Sequence, residues 1–243
     1  MSLQATEFEF RFRFWIIALI FTLGFLLYNL DRVNVSVALS QFVLRGHADE
    51  SSVAFDHSIT GFFALGTLIV TLGALLRSWA GSYLHSSIIH DAALHGEQLV
   101  ADGPYRHVRN PLYLGNVFLA MGLGFLASRF GFWVISIGML VFVYRLILRE
   151  ETTLLQAQGE RYRRYLAAVP RLFPSLRPRI PAAGARPNWW DGLTGESLMW
   201  GGALAMAVFT LTRSLADFWI VFGASFGTYF LQAYLRSRRK RAA

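Results

Sequence analysis

The stretch that decides the fold runs from Pro111 to Leu148. It reads P-L-Y-L-G-N-V-F-L-A-M-G-L-G-F-L-A-S from Pro111 to Ser128 and, after one arginine, F-G-F-W-V-I-S-I-G-M-L-V-F-V-Y-R-L-I-L from Phe130 to Leu148. Each run is close to the roughly 20 apolar residues that a helix needs to cross the hydrocarbon core of a bilayer. Because only the Arg129–Gly131 region joins the two runs, they are predicted to form a tight hairpin of transmembrane helices.

Four further apolar runs extend this pattern over the 243-residue chain, at roughly residues 12–30, 59–80, 198–212 and 215–235. We interpret the first as a retained helix and not as a signal peptide, because no small-residue cleavage motif follows it closely. A backbone in lipid has no hydrogen-bond partner but itself, so each run is expected to be helical. The predicted fold class is all-α, a polytopic transmembrane helix bundle of about six helices with polar cytoplasmic segments.

The composition and the charge agree with this prediction. Hydrophobic residues make up 54% of the chain and charged residues only 16%, whereas soluble domains are about a quarter charged. Eight arginines lie between Arg149 and Arg186 and five basic residues between Arg236 and Arg241, so the positive-inside rule places these segments and both termini in the cytoplasm. The net charge of +8 therefore indicates orientation, and no nucleic-acid partner is expected. The absence of cysteine excludes disulfides and thiolate metal sites.

A polar segment precedes the third run and reads L-V-A-D-G-P-Y-R-H-V-R-N-P-L-Y-L-G, from Leu99 to Gly115. Its Asp-Gly-Pro sequence is a turn signal. Asn110 followed by Pro111 is typical of a helix start, with Asn as the N-cap, and the free N–H groups there favour an anion. A capped helix with basic flanks explains the asparagine and the arginines. It does not explain why two tyrosines and a Gly-Pro turn occur in one short stretch.

A second polar segment follows the fourth run and reads R-E-E-T-T-L-L-Q-A-Q-G-E-R-Y-R-R-Y-L-A-A-V-P-R, from Arg149 to Arg171. Glu150 and Glu151 come directly off a membrane helix, where acids oppose the helix dipole and are costly without a partner or a function. The apolar and tyrosine residues recur near helical spacing, so the alternative interpretation is a fourth helix that simply continues along the surface. The hairpin between the two segments predicts that they lie side by side.

Together the two segments resemble the isoprenylcysteine carboxyl methyltransferase and phospholipid methyltransferase family. The first matches L-V-x-x-G-P-Y-R-x-x-R-x-P-x-Y-x-G and the second matches E-E-x-x-L-x-x-x-x-G-x-x-Y-x-x-Y-x-x-x-V-P, in the family's order. The resemblance covers roughly residues 60 to 175. Asn110 departs from the isoprenylcysteine enzymes, which usually have His before the helix proline. The departure weakens the assignment to an isoprenylcysteine substrate and leaves methyl transfer in place.

The resemblance implies that S-adenosylmethionine binds at the cytoplasmic mouth of the hairpin. It also implies a lipid-soluble methyl acceptor that enters from the bilayer, either an isoprenylcysteine-like carboxylate or a phospholipid amine. The cofactor-binding residues that it implies are Leu99, Val100, Gly103, Pro104, Tyr105, Asn110, Pro111 and Tyr113. The candidate catalytic residues are Glu151, Arg109 and Glu150, with Glu151 expected to face the site and Glu150 to face flanking arginines.

Two other function classes compete with methyl transfer. A membrane steroid-type reductase using NADPH resembles this family in architecture, but it typically has Asn after the helix proline and Glu further on, where this chain has Leu112 and Asn116. The other is a non-catalytic membrane scaffold or a transporter, although a transporter should show polar or broken helices at mid-membrane, which the apolar runs lack. No metal site is expected, because His85, His90 and His95 are five residues apart and do not share a helix face.

On this interpretation the chain has three parts. Residues 1–58 hold the first membrane helix and a loop, residues 59–180 the methyltransferase core, and residues 181–243 a membrane helix pair and a basic tail. Trp189 and Trp190 are expected to lie in an interfacial belt. For Arg77 and Trp79, at the cytoplasmic end of the second run, snorkelling and anchoring at the interface are favoured over lining the entry of the acceptor. The predicted location is a bacterial inner membrane, with a cytoplasmic active site.

Overall fold

The computed structural model describes residues 3–45, 49–91 and 102–242, and these are almost entirely helical. Within these ranges it contains no β-strand, and an isolated bridge pairs Asn34 with Ser128. Two 3-10 helices span Leu27–Asn29 and Gly103–Arg106. The predicted all-α helical membrane bundle is confirmed. The α-helices of the described residues are α1 (Glu7–Arg11), α2 (Arg13–Leu26), α3 (Val35–Leu44), α4 (Val53–Asp91), α5 (Pro111–Gly124), α6 (Arg129–Ala168), α7 (Trp189–Gly195), α8 (Ser197–Thr212) and α9 (Leu215–Ala242).

Six of these helices coincide with the predicted apolar runs, namely α2, α4, α5, α6, α8 and α9. The helices α1, α3 and α7 lie outside those runs. Both α3 and α7 begin after an asparagine that caps them: Asn34 accepts from the Ser36 N–H at 2.7 Å, and Asn188 accepts from the Asp191 N–H at 3.2 Å. Each is too short to cross a membrane, so a search for membrane-length apolar runs does not find them.

Two helices are long and apolar enough to cross a membrane, the Val53–Leu84 part of α4 and the whole of α6. Shorter apolar helices are α2 with its following 3-10 turn, α3, α5 and α8. The 40-residue α6 runs on past the apolar stretch into the second polar segment. It is interrupted at Gly159, whose φ of +57° lies in the left-handed region that glycine adopts without strain.

The chain folds into two compact units, each assembled from separate stretches. The motif unit consists of Met1–Arg11, Ala74–Asn116 and Phe142–Glu196. The core unit consists of Phe12–Gly73, Val117–Val141 and Ser197–Ala243. The helices α4, α5 and α6 each contribute residues to both units. Both polar segments identified in the sequence belong to the motif unit.

An apolar cluster stabilises the core unit. Its fully buried members include Val70 and Met206, and the ring of Phe63 meets that of Phe209 edge-on with centroids 5.0 Å apart. Two glycines allow α4 and α5 to approach closely: a Cβ at Gly66 would lie 2.8 Å from the carbonyl oxygen of Gly122. Small residues at a helix interface are typical of membrane helices, which gain little from the hydrophobic effect and much from close packing.

The segment between α2 and α3 fixes the turn between α5 and α6. The Arg129 guanidinium contacts the buried Asp31 carboxylate, with Nη2 and Oδ1 2.9 Å apart. The Asn34 side chain donates to the carbonyls of Phe125 and Ala127 at 3.1 and 3.2 Å. The predicted tight hairpin is therefore present, and its turn is stabilised by polar contacts from a segment distant in sequence.

Candidate active site

The two polar segments lie side by side in the motif unit, as their connection by a hairpin predicts. The Arg109 N–H donates to the Pro170 carbonyl, and the Ser175 N–H donates to the His107 carbonyl, both at 2.9 Å. The Tyr165 hydroxyl donates to the Tyr105 carbonyl at 2.8 Å. These bonds join the Gly-Pro-Tyr segment to the end of α6 and to the chain that follows it.

The helix α5 begins at Pro111, as the Asn-Pro pair predicts, and the Asn110 carbonyl accepts the first helical hydrogen bond from Leu114 at 3.0 Å. The side-chain amide of Asn110 points to other elements. Its Nδ2 donates to Glu151 Oε1 at 3.2 Å and to the Arg171 carbonyl at 3.1 Å. The residue that departs from the isoprenylcysteine pattern thus supplies two N–H donors that join the start of α5 to α6.

Glu151 is buried, with 5% of its surface exposed, and it is surrounded by donors. Arg171 Nε and Nη2 lie 3.0 and 2.9 Å from its Oε2. Arg109 Nε lies 3.2 Å from its Oε1 as an ion pair, although it is not aligned as a hydrogen bond. Two guanidiniums and one amide therefore compensate the charge of the Glu151 carboxylate. Burying that charge without such partners would be very unfavourable.

The neighbouring Glu150 has different surroundings. Its Oε1 accepts a short hydrogen bond of 2.6 Å from the Tyr113 hydroxyl, and both side chains are half-buried. Successive helical residues point about 100° apart, which explains why the two carboxylates meet different partners. Two arginines, Arg109 and Arg171, approach the face of α6 that carries Glu151. The expectation that Glu150 faces flanking arginines stays a prediction.

The Gly-Pro-Tyr segment forms a 3-10 helix whose shape depends on Gly103. This residue has a φ of +57°, and a Cβ there would collide with the Tyr83 ring. Just before it, the buried Asp102 carboxylate accepts from the N–H groups of Ala183 and Ala185 at 2.8 and 2.7 Å. The segment is therefore held at both ends. Of the implied cofactor-binding residues, Leu99 and Val100 lie outside the described part of the chain.

Tyr105 lies in this 3-10 helix, and its hydroxyl is buried without a hydrogen-bond partner. Its carbonyl, by contrast, accepts from Tyr165. Burial raises the pKa of the Tyr105 phenol. The charge of Arg77 lowers this pKa by a smaller amount, and the charges of Glu196 and Glu150 raise it further. Tyr105 therefore stays protonated at physiological pH and keeps an unused donor.

Arg77 is a site residue whose partners the sequence did not predict. Its Nε and Nη2 meet the two Glu196 oxygens at 2.6 and 3.0 Å, and its Nη1 donates to Asn116 Oδ1 at 2.9 Å and to the Leu112 carbonyl at 3.1 Å. It does not snorkel, because its guanidinium is engaged by α5 and by the end of α7. A charged residue within an apolar run was the available signal that it has a partner, but nothing in the sequence identified Glu196.

Residues 61–161 match the sequence model of the phospholipid methyltransferase family. The match supports a membrane methyltransferase in general terms, and it includes the Gly-Pro-Tyr segment, the start of α5 and both glutamates. Arg171 and Glu196 lie beyond the matched residues.

Two curated relatives align with part of this chain. A nickel-cobalt-cadmium resistance protein, NccN, of Alcaligenes xylosoxydans xylosoxydans is 27% identical over 60% of this chain and 63% of its own length. A cobalt-zinc-cadmium resistance protein, CzcN, of Cupriavidus metallidurans is 27% identical over 46% of this chain and 49% of its own length. The chain thus spans about half to two thirds of these relatives. No solved structure matches it.

Proposed function

We propose that this protein is a multi-pass membrane methyltransferase that moves a methyl group from S-adenosylmethionine to a lipid-soluble acceptor. The observation that carries the proposal is the arrangement of the motif unit. The start of α5 is hydrogen-bonded to both glutamates through Asn110 and Tyr113. The Gly-Pro-Tyr segment is hydrogen-bonded to the end of α6 through Tyr165. These are the segments that the family resemblance assigns to the cofactor.

The donor set of the motif unit fits this cofactor. The unpaired Tyr105 hydroxyl and the Gly103–Pro104 turn suit the nucleoside. The N–H groups at the start of α5, beside Arg109 and Asn110, favour its carboxylate. The half-buried Glu150 suits its ammonium. Glu151 is already compensated by two arginines, so we assign it to holding Asn110 and Arg109 in place.

The bound cofactor would supply a methyl group already activated on a sulfonium. The protein then needs no metal for this transfer and contributes by positioning the reactants and excluding water. The Tyr113 ring, near the start of α5, can face a cation, and its hydroxyl is fixed by Glu150. Through its contacts with Arg109 and Asn110, Glu151 holds the start of α5 against α6.

The proposed orientation places both termini and the motif unit in the cytoplasm of a bacterial inner membrane. The concentration of arginines in residues 149–186 and 236–241 supports it through the positive-inside rule. A lipid-soluble acceptor would then reach the site from the bilayer. The acceptor is proposed as an isoprenylcysteine-like carboxylate or a phospholipid amine.

The test is methyl transfer and cofactor binding by the detergent-purified protein. We expect calorimetry to detect binding of S-adenosylhomocysteine and not of NADPH, and methyl-labelled cofactor to label extracted lipid. A methyl ester on a carboxylate is released by base as methanol, whereas a methylated amine is stable, so base treatment separates the two acceptor classes. Glu160→Gln, which alters an exposed residue, is the matched control. Binding of NADPH alone would transfer the protein to the reductase class.

The two curated relatives suggest the growth conditions for the lipid comparison. They are named for resistance to nickel, cobalt, zinc and cadmium. We propose to compare lipid extracts from cells with and without this gene, grown with and without cobalt or cadmium. A labelled lipid that accumulates only in the presence of a metal would connect the methyl acceptor to the condition for which the relatives are named.

A further inference from the structure

Residues 4–10, which we call the N-terminal strap, lie against α6 within the motif unit. The Gln4 side-chain amide donates to Thr152 Oγ1 at 2.8 Å. The Ala5 N–H donates to the Arg145 carbonyl at 3.0 Å, and Ala5 itself is buried. The strap therefore contacts α6 at both ends of a stretch of about two helical turns, and the two glutamates lie within that stretch.

The strap also engages the two arginines of this stretch. Arg145 Nη2 donates to Glu9 Oε2 at 2.8 Å, and both side chains are partly buried. Arg149 Nη1 donates to the Ala5 carbonyl at 3.2 Å, and its guanidinium lies over the Phe10 ring, 5.4 Å from the centroid. Arg145 belongs to the apolar run, where a charge is costly without a partner. Glu9 supplies that partner.

The strap is ordered by hydrogen bonds of its own. The Thr6 N–H donates to Glu9 Oε2 at 2.6 Å, and the Glu9 N–H donates to Thr6 Oγ1 at 3.2 Å. This reciprocal pair is a capping box, and α1 begins directly after Thr6. The oxygen that closes the box is the same one that accepts from Arg145. The local structure of the strap and its attachment to α6 therefore depend on one carboxylate.

The strap contacts the face of α6 that is opposite the glutamates. At about 100° per residue, Arg145, Arg149 and Thr152 point within about 60° of one another. The direction midway between Glu150 and Glu151 is about 180° from theirs. On that other side, both glutamates are hydrogen-bonded to the start of α5. The turn of α6 that carries the glutamates is thus held from two sides, by the start of α5 and by the strap.

We propose that the N-terminal strap belongs to the methyltransferase site, with Gln4 and Glu9 as positioning residues that act on Glu150 and Glu151 through α6. The attached strap keeps this turn against the start of α5, where Glu150 meets the cofactor. Without the strap, fewer molecules have the turn in the binding position, and apparent affinity falls in proportion. The inference rests on the proposed function and adds an element that lies outside the matched residues 61–161.

The experiment compares wild type, Gln4→Ala/Glu9→Ala and the control Glu7→Ala as full-length protein in detergent. Glu7 is exposed in the same short helix, so the control removes an equal charge and leaves the hydrogen bonds to α6 in place. S-adenosylhomocysteine should bind the strap variant roughly fivefold more weakly, as when the competent fraction falls to about a fifth, and should bind the control like wild type. Without ligand, hydrogen exchange of the α6 amides at residues 149–152 should be faster in the strap variant alone.

A double-mutant cycle distinguishes positioning from an independent loss of stability. When the strap substitutions are combined with Glu150→Gln, binding should weaken by less than the product of the two separate factors, because the strap acts through the glutamates.

Three results would overturn the inference and leave the proposed function intact: a combined effect equal to the full product, unchanged binding by the strap variant, and unchanged exchange at residues 149–152. Failure of wild type to bind S-adenosylhomocysteine would instead overturn the proposed function, and with it the role of the strap in the site. The exchange measurement would then still show whether the strap holds the turn of α6.

Discussion

At the scale of single residues, Glu150 and Glu151 are adjacent in α6 and yet have different partners, which makes their variants separable. Glu151→Gln removes the negative charge that compensates Arg109 and Arg171. The Arg109 side chain, which is only 8% exposed, is then left without a charged partner. Breaking one side of a buried pair costs about 3–5 kcal/mol. We predict a loss of stability of that order, measured by thermal or denaturant unfolding in detergent, with a loss of turnover because the start of α5 is released.

Glu150→Gln is the matched variant for this prediction. Its carboxylate is half-buried and accepts from Tyr113, so its stability loss should be smaller, about 1 kcal/mol. Its effect should appear in cofactor affinity, where losing the partner of an ammonium weakens binding by roughly tenfold. If Glu151→Gln unfolds like wild type, the carboxylate does not carry the structural role assigned to it. If Glu150→Gln binds S-adenosylhomocysteine normally, Glu150 is not the ammonium partner.

The bidentate pair of Arg77 and Glu196 predicts a second effect on stability. The side chain of Glu196 is 11% exposed and that of Arg77 is 20% exposed, so the pair is largely shielded from solvent. Glu196→Gln should cost about 2 kcal/mol in unfolding free energy, because the guanidinium loses a charged partner. The control is Glu160→Gln, whose pair with Arg163 has both side chains more than 60% exposed and should change stability by less than about 0.5 kcal/mol. Equal effects from the two variants would contradict the prediction.

The sequence identified several residues that the structure brings together in the motif unit, but few of their hydrogen-bond and ion-pair partners. Motif spacing identified Gly103, Tyr105, Asn110 and the two glutamates, because these positions lie within two short segments. Arg171 and Glu196 could not be assigned in this way. Glu196 is 119 residues from Arg77 in sequence, and pairing across such a separation depends on how helices pack, which a single sequence does not encode as a pattern.

At the scale of elements, the turn between α5 and α6 predicts a pH dependence of stability. The hydrogen bonds from Arg129 hold the pKa of Asp31 below its ordinary value. A depressed folded-state pKa means that the carboxylate contributes stability above its unfolded pKa of about 4 and that this contribution is lost as the pH falls through the folded value. Asp31→Asn should therefore melt below wild type at pH 7, and the difference should shrink as the pH is lowered below about 4.

Melting curves of wild type and Asp31→Asn across this pH range test the idea. Asp49→Asn, at an exposed carboxylate in the loop between α3 and α4, is the control and should follow wild type throughout. A gap between wild type and Asp31→Asn that stays constant down to pH 3 would mean that ionisation of Asp31 does not stabilise the turn.

Elements were predictable from sequence where a long apolar run defined them. The runs that became α4, α5 and α6 were found because membrane-length hydrophobicity is a strong signal. The helices α3 and α7 were missed because a short helix depends on its cap and on tertiary packing more than on its own composition. At α7, a Cβ on Gly192 would lie 2.8 Å from Ser82 Cβ, so the fit against α4 specifies glycine there for packing reasons.

At the scale of the whole molecule, neither compact unit is a continuous stretch of the sequence, because each is assembled from three separate stretches. The motif unit gathers the N-terminal residues, the end of α4, the start of α5 and, from Phe142 onward, the rest of α6 and the chain up to Glu196. The family match ends at residue 161, so Arg171 and Glu196 extend the site beyond the matched domain.

The proposed orientation gives the last prediction, and the absence of native cysteine makes it directly measurable. Leu176 is 99% exposed and lies among the arginines assigned to the cytoplasm. Asp49 is exposed in the loop after α3, a helix of 10 residues and so about 15 Å long, which is too short to cross the bilayer. With α2 crossing outward and α4 crossing back, the loop at Asp49 should face the opposite side from Leu176.

A membrane-impermeant thiol reagent applied to intact cells should therefore label Asp49→Cys and not Leu176→Cys. After the membrane is permeabilised, both should react, which controls for accessibility. The charge argument is strong because 13 of the 23 basic residues lie in the two segments assigned to the cytoplasm, and moving so many arginines across the membrane is costly. Labelling of Leu176→Cys alone from outside would show that the orientation is the reverse of the one proposed. The candidate site would then face away from the cytoplasm, where the cofactor is. Labelling of both from outside would mean that an even number of crossings separates the two positions, so at least one of α4, α5 and α6 would not span the bilayer and the proposed topology would fail.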